Sequence, residues 1–364
     1  MGERAVGTVQ VIAGAIVGAI MAAPSTAAPH ELSQRFGVVF DSQRVQRSLA
    51  DYDHRSLGGF GWCLDGLADS PGPLLGAVDQ PIQYIPTVGR NATPPAPNAV
   101  RDLIQAHPEL YPPGTVWMIG HELGRDGYTS VPGQAAQPFD HEAYATSFNA
   151  WATQIRNADP TFRIMLGAMI PGDDTGFVHD NTANLSSLFS TYYTNYGQQM
   201  PVDVFNLRLL FDRQHASLAC LKNQVVEFRS WMRKVQYARF ESTDYRGSEL
   251  WLNGYGVFET PSFTPQSVAF LQGATDWLCG DGAADFRDAA NGLPADDYRL
   301  VQRWAWFALD DTRPEFADTR LLMPDGTLSP LGEAYAAYLP HLPEPASLLL
   351  LTALTALAGI RRRA

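Results

Sequence analysis

Short apolar or β-branched runs recur along the middle of the chain, each followed by a polar or glycine-rich turn. The runs are Phe36–Phe40, Gly59–Cys63, Ile82–Pro86, Val116–Gly120, Arg163–Ala168, Val202–Leu207, Leu250–Tyr255 and Arg303–Leu309. Between most of them lie stretches of helical periodicity: Ala99–His107, His141–Ala158, Leu185–Gly197, Val225–Ala238 and Pro265–Leu278. Strands alternating with helices predict a parallel sheet with crossover connections. Eight such runs fit a single (β/α)8 barrel, a TIM barrel, better than an open doubly wound sheet. No Gly-x-Gly-x-x-Gly follows the first run, which argues against a dinucleotide site. In such a barrel, chemistry is expected at the C-terminal ends of the strands.

The two ends break this pattern. Residues 1–28 have the layout of a secretory signal peptide: Arg4, an apolar run from Val11 to Ala23, then the small residues Ser25-Thr26-Ala27-Ala28. At the other end Pro343-Glu344-Pro345 precedes an uncharged stretch, Ala346 to Ile360, closed by Arg361-Arg362-Arg363. At helical rise that stretch covers about 22 Å, short of a typical hydrocarbon core. The arginines favour retention on the cytoplasmic side. This tail resembles the PEP-CTERM sorting signal, in which Pro-Glu-Pro precedes a transmembrane run and an Arg cluster. The resemblance implies an exosortase as partner, transient anchoring in the inner membrane, and export to the cell surface, outer membrane or extracellular matrix. The expected organisation is therefore a signal peptide at 1–28, one barrel at 29–340 and a sorting tail at 343–364.

Composition narrows the middle. Aromatic residues make up 11% of the chain, which suits a packed core. A net charge of −12 argues against a nucleic-acid partner. Cys63, Cys220 and Cys279 allow at most one disulfide, and no Cys-x-x-Cys pair supports a zinc knuckle. Asp173-Asp174 with His179-Asp180 reads as a solvated turn rather than a cation site. No metal or cofactor is implied.

Trp117-Met118-Ile119-Gly120-His121-Glu122 places a carboxylate just past the fourth run, where Gly120 lets the backbone bend and Glu122 point into the mouth. It is not a zinc-protease helix, because Arg125 stands where a second histidine is needed. Trp62, Tyr255, Trp304 and Trp306 lie on or beside the second, seventh and eighth runs. Tryptophan at a barrel mouth suits stacking on sugar rings, although alternate aromatics also fill barrel layers. Trp304 and Trp306, two apart, face the same side of a regular strand.

On these residues the chain, over about 35–340, resembles clan-A glycoside hydrolases, specifically an uncharacterised bacterial barrel family. The segments that carry the resemblance are Asp51-Tyr52-Asp53 through Gly61-Trp62, Gly114 to Glu122, Tyr144 through Asp159-Pro160, Pro201 to Asn206, Val301 to Phe307 and Gly326 to Gly332. It implies hydrolysis of O-glycosyl bonds by two carboxylates, with a polysaccharide or oligosaccharide as ligand. The acid/base maps onto Glu122. The nucleophile, in a pattern like Leu-Trp-Ile-Thr-Glu-Tyr-Gly, falls on Gly254, where no carboxylate exists.

Two further positions depart. The asparagine before the acid/base is His121, and a histidine expected after Asn206-Leu207 is Arg208; both remain substrate-binding candidates. Glycine cannot act as a nucleophile. Glu259, in the loop after the seventh run, is the candidate substitute, with Asp310, Asp311 and Asp41 behind it. A substitute roughly 6.5–9.5 Å from Glu122 would suit inverting hydrolysis. Two readings stay open: a glycosidase built on Glu122 and Glu259, or an inactive barrel that binds glycan or serves as matrix structure.

Overall fold

Pro86 is where the barrel closes. The computed structural model describes residues 32–40, 60–65, 82–90, 94–123, 139–168, 177–212, 215–238, 241–257, 265–280, 284–311, 313–317 and 319–338. The run expected at Ile82–Pro86 continues past the proline as two short strands, β3 (Gln83–Ile85) and β4 (Thr87–Val88). The first pairs with β2 (Trp62–Asp65), the second with β5 (Val116–Glu122), both parallel. Proline has no N–H to donate, but its carbonyl accepts from the Met118 amide at 2.8 Å.

The other strands of the ring are β1 (Phe36–Phe40), β6 (Arg163–Ala168), β7 (Val204–Phe211), β10 (Glu249–Val257) and β11 (Arg303–Trp306). Their order is β3-β2-β1-β11-β10-β7-β6-β5-β4. Because β3 and β4 are halves of one stretch, nine hydrogen-bonded strands make an eight-membered parallel barrel. Among the described residues a single helical turn, Leu32–Arg35, precedes β1, and the longer helices are α1 (Ala99–Ala106), α2 (His141–Ala158), α3 (Phe177–Tyr196), α4 (Leu218–Met232), α5 (Pro265–Cys279) and α6 (Pro330–Tyr338). Asp140 and Ser217 cap α2 and α4, accepting from the Ala143 and Cys220 amides. This is the expected (β/α)8 class.

Period-two alternation sorts the strand residues into two cores. Val116 and Met118 point into the ring with Leu64, Ile85, Met165, Val204, Trp251 and Ala305. Trp117 and Ile119 point outward, with Leu166, Phe205, Leu250 and Leu252, under the helices. Strands buried on both faces are mostly apolar, as is usual in parallel barrels, with buried polar residues such as Asn206, Arg208, Glu249, Asn253 and Arg303 set among them.

Gly37 on β1 is one position where the packing demands glycine. A Cβ there would lie 2.2–2.6 Å from the Trp62 indole. Gly37→Ala is expected to lower stability by about 1–3 kcal/mol through overpacking, measurable as a lower urea midpoint. An unchanged midpoint would mean the indole moves aside at no cost.

The N-terminal end of the ring is closed by charge. Glu249 is 2% exposed; one carboxylate oxygen lies 2.8 Å from Arg163 Nη2 and the other accepts from Trp251 Nε1 at 2.6 Å. Arg303 lies over the Trp251 ring, 4.6 Å from its centroid, and donates to Gln83 Oε1 at 2.5 Å. Beside them Arg35 grips Asp296 with both terminal nitrogens, at 2.6 and 2.8 Å.

Some elements differ from expectation. The helix expected at Val225–Ala238 runs over Leu218–Met232. After a turn at Arg233-Lys234, Val235–Ala238 forms β8, antiparallel to β9 (Glu241–Thr243). Val235 and Tyr237 favour a strand, and the Tyr237 carbonyl accepts from Ser190 Oγ of α3. That helix begins at Phe177, earlier than its periodicity indicated. No disulfide joins Cys220 to Cys279. Among the described residues no helix is long and apolar enough to cross a membrane. The leader at 1–28 and the sorting residues Pro343, Glu344, Pro345, Arg361, Arg362 and Arg363 lie outside the described residues.

Candidate functional site

The mouth is organised by two irregular strands. In β5, Gly120 has φ 73°, a left-handed value that other residues rarely adopt. A Cβ there would come within 2.6 Å of Leu123 and 3.0 Å of Tyr144. The register with β6 shifts between Ile119 and Glu122, which comes to lie opposite Ala168. His121 is thereby buried, while the Glu122 side chain keeps 19% exposure at the end of the strand.

In β10 a second irregularity falls between Leu252 and Gly254 and sets Gly254 opposite Arg208 of β7. Arg208 is 3% exposed. Its Nη1 lies 2.8 Å from Glu122 Oε1 and 3.0 Å from His121 Nε2, and its guanidinium sits 4.6 Å from the centre of the Phe307 ring. Arginine has no acceptor, so His121 Nε2 accepts this bond and the imidazole proton is on Nδ1. Burial pushes the His121 pKa down to about 3; the Arg208 and Arg90 charges reinforce the shift and Glu122 opposes it. The imidazole is neutral at pH 7.

Gly254 is not forced by crowding. A Cβ there would meet Arg208 Cγ and Phe307 Cβ at 3.5 Å and Arg208 Nε at 3.6 Å, all ordinary contacts. A longer side chain would have to share that volume with Arg208. Beneath it Asn206 and Asn253 both point their amides at Met118 Sδ, at 3.2 and 3.6 Å.

The structure brings Glu122, His121 and Arg208 together and places the four aromatic candidates elsewhere. Trp62 lies inside the ring, 5.4 Å from Trp251, with Nε1 donating to the Arg35 carbonyl near the N-terminal end. Trp304 packs edge-on to Phe36 outside the ring. Trp306 meets Tyr255 at 5.1 Å, and its Nε1 donates to the Thr319 carbonyl. The Tyr255 hydroxyl lies 3.4 Å from Thr275 of α5. All four side chains are buried. Of the substitute carboxylates, Asp310 and Asp311 are both 2% exposed, and Asp311 pairs with Arg313 at 2.6 Å. Glu259 and Asp41 lie outside the described residues.

Two mouth residues were not singled out from the sequence. Phe307 continues the inward parity of Arg303 and Ala305, so alternation along β11 would have found it. Arg90, two residues past β4, carried no signal of its own. Among the described residues no cluster of three or more His, Cys, Asp or Glu side chains is arranged to hold a metal.

No protein-family model matches the chain, and no curated protein matches its sequence. Solved structures do match. A GH128 (subgroup II) endo-beta-1,3-glucanase from Sorangium cellulosum aligns with TM-score 0.54 at 17% identity, covering 84% of this chain and 98% of that one. The likeness is one of fold, the (β/α)8 barrel. A second GH128 subgroup II endo-beta-1,3-glucanase, from Pseudomonas viridiflava, aligns with TM-score 0.54 at 18% identity, covering 85% and 98%.

Proposed function

We propose that this chain is an exported, surface- or matrix-directed barrel that binds a polysaccharide in its mouth without cleaving it. The observation that carries the reading is the pairing of Glu122 with Arg208 beside Gly254. Glycosidic cleavage with retention needs two carboxylates about 5 Å apart. Here the second position has no side chain, and a cation stands next to it. The Glu122 side chain, 19% exposed and paired with Arg208, presents a charged hydrogen-bonding group of the kind that suits sugar hydroxyls. Beta-1,3-glucan is the first ligand to try, since the aligned glucanases act on it.

The test is retention of the full chain on immobilised laminarin and a panel of other polysaccharides, with reducing ends assayed in parallel. Retention with no new reducing ends is expected. Turnover that Glu122→Gln abolishes would overturn the reading in favour of hydrolysis with a second carboxylate such as Glu259. No retention on any glycan would end the carbohydrate reading. Export is proposed on the two ends; deleting 343–364 is expected to abolish surface or matrix delivery and leave the barrel cell-associated.

A further inference from the structure

We propose that Arg208 is a positioning residue that disables Glu122 as a proton donor, holding its side chain as an ionised acceptor while filling the volume beside Gly254. The inference rests on the reading of the mouth as a glycan site, and it concerns why that site does not cleave.

A general acid must carry its proton before the leaving oxygen departs. A guanidinium at 2.8 Å from Glu122 Oε1 favours the carboxylate over the acid, and a charge-assisted bond of this kind is among the stronger ones available. Arg208 is itself held in place. Its guanidinium stacks on Phe307 at 4.6 Å, its Nη1 donates to neutral His121, and its chain packs where a Cβ at position 254 would begin, 3.5–3.6 Å away. His121 is neutral and so does not compete with Arg208 for the Glu122 charge. Loss of a nucleophile and gain of a cation therefore act on the same carboxylate. Installing a glutamate at 254 without removing Arg208 would only give the guanidinium a second partner.

The test uses a carbodiimide with glycinamide as co-reactant, because a carbodiimide activates the protonated carboxyl. Glu122 modification is followed by peptide mass spectrometry on the full chain at several pH values. Neither reagent requires a bound glycan, so this inference can fail while glycan binding stands, and the reverse. At pH 5.5, Arg208→Met is expected to speed Glu122 labelling by about ten-fold and to carry the labelling profile to higher pH. Arg208→Lys, which keeps the charge, is expected to label nearly as slowly as the unaltered protein. Equal rates in all three proteins would overturn the inference. So would Lys as fast as Met, since the role would then be shape rather than charge. If Arg208→Met does not fold, Gly254→Glu in the otherwise unaltered chain replaces it. Drawing Arg208 toward a second carboxylate is expected to raise Glu122 labelling, and no rise would overturn the proposal.

Discussion

Glu249→Leu is expected to lower the unfolding free energy by about 3–5 kcal/mol, the usual cost of removing one partner from a buried ion pair. The carboxylate is 2% exposed and is held by Arg163 at 2.8 Å and Trp251 Nε1 at 2.6 Å, among others. Leucine fills similar volume but leaves both donors unsatisfied, and it removes the negative charge that offsets Arg163 and the nearby Arg303. Arg163 keeps 21% side-chain exposure, so water recovers part of the loss. The expected cost therefore falls in the lower half of the range. Glu249→Gln keeps an acceptor for the indole and should cost less than the leucine. Urea denaturation followed by tryptophan fluorescence measures both. A leucine variant within about 1 kcal/mol of the unaltered protein would show that the charged floor does not hold the ring together.

Stability is also expected to fall as the pH drops from about 6.5 toward 3, through His121. The unfolded imidazole takes up its proton near pH 6.5, while burial holds the folded one to about 3. Between those values the unfolded chain binds more protons, so the stability present above pH 6.5 is progressively lost below it. The loss over the window is on the order of a few kcal/mol, a large share of a typical domain's stability. His121→Asn removes the titrating group and should flatten the curve of melting temperature against pH over this range. If the variant's curve matched the unaltered one, protonation of His121 would not be what acid does to this fold.

Some of this could be read from the chain. An apolar run ending in Gly-His-Glu located the bend in β5 and the carboxylate at the mouth, because glycine within a strand marks a place where the backbone turns. The aromatic candidates could not be placed the same way. Alternation establishes that Trp304 and Trp306 share a face. It does not say which face looks inward, and the inward parity belongs to Arg303, Ala305 and Phe307. Tyr255 was turned outward by the irregularity in β10, which Gly254 marks in the sequence without saying which way the following residue turns. The floor network was hidden for another reason: Glu249 meets Arg163, and Arg303 meets Gln83, across separations that only the closed ring brings together. The split at Pro86 was also invisible, since a proline near the end of an apolar run reads as its boundary.

That split reaches the mouth. Had the strand run straight, the residues after it would have stayed beside β2. The half-step at Pro86 hands β4 to β5, pairing Thr87 with Met118 and Val88 with Ile119. Arg90, two residues on, is thereby carried toward the end of β5, where its charge adds to that of Arg208 on the His121 imidazole. The joint that seals the wall of the ring thus also sets the electrostatic surroundings of its opening, and a residue at the seam helps tune the titration of His121.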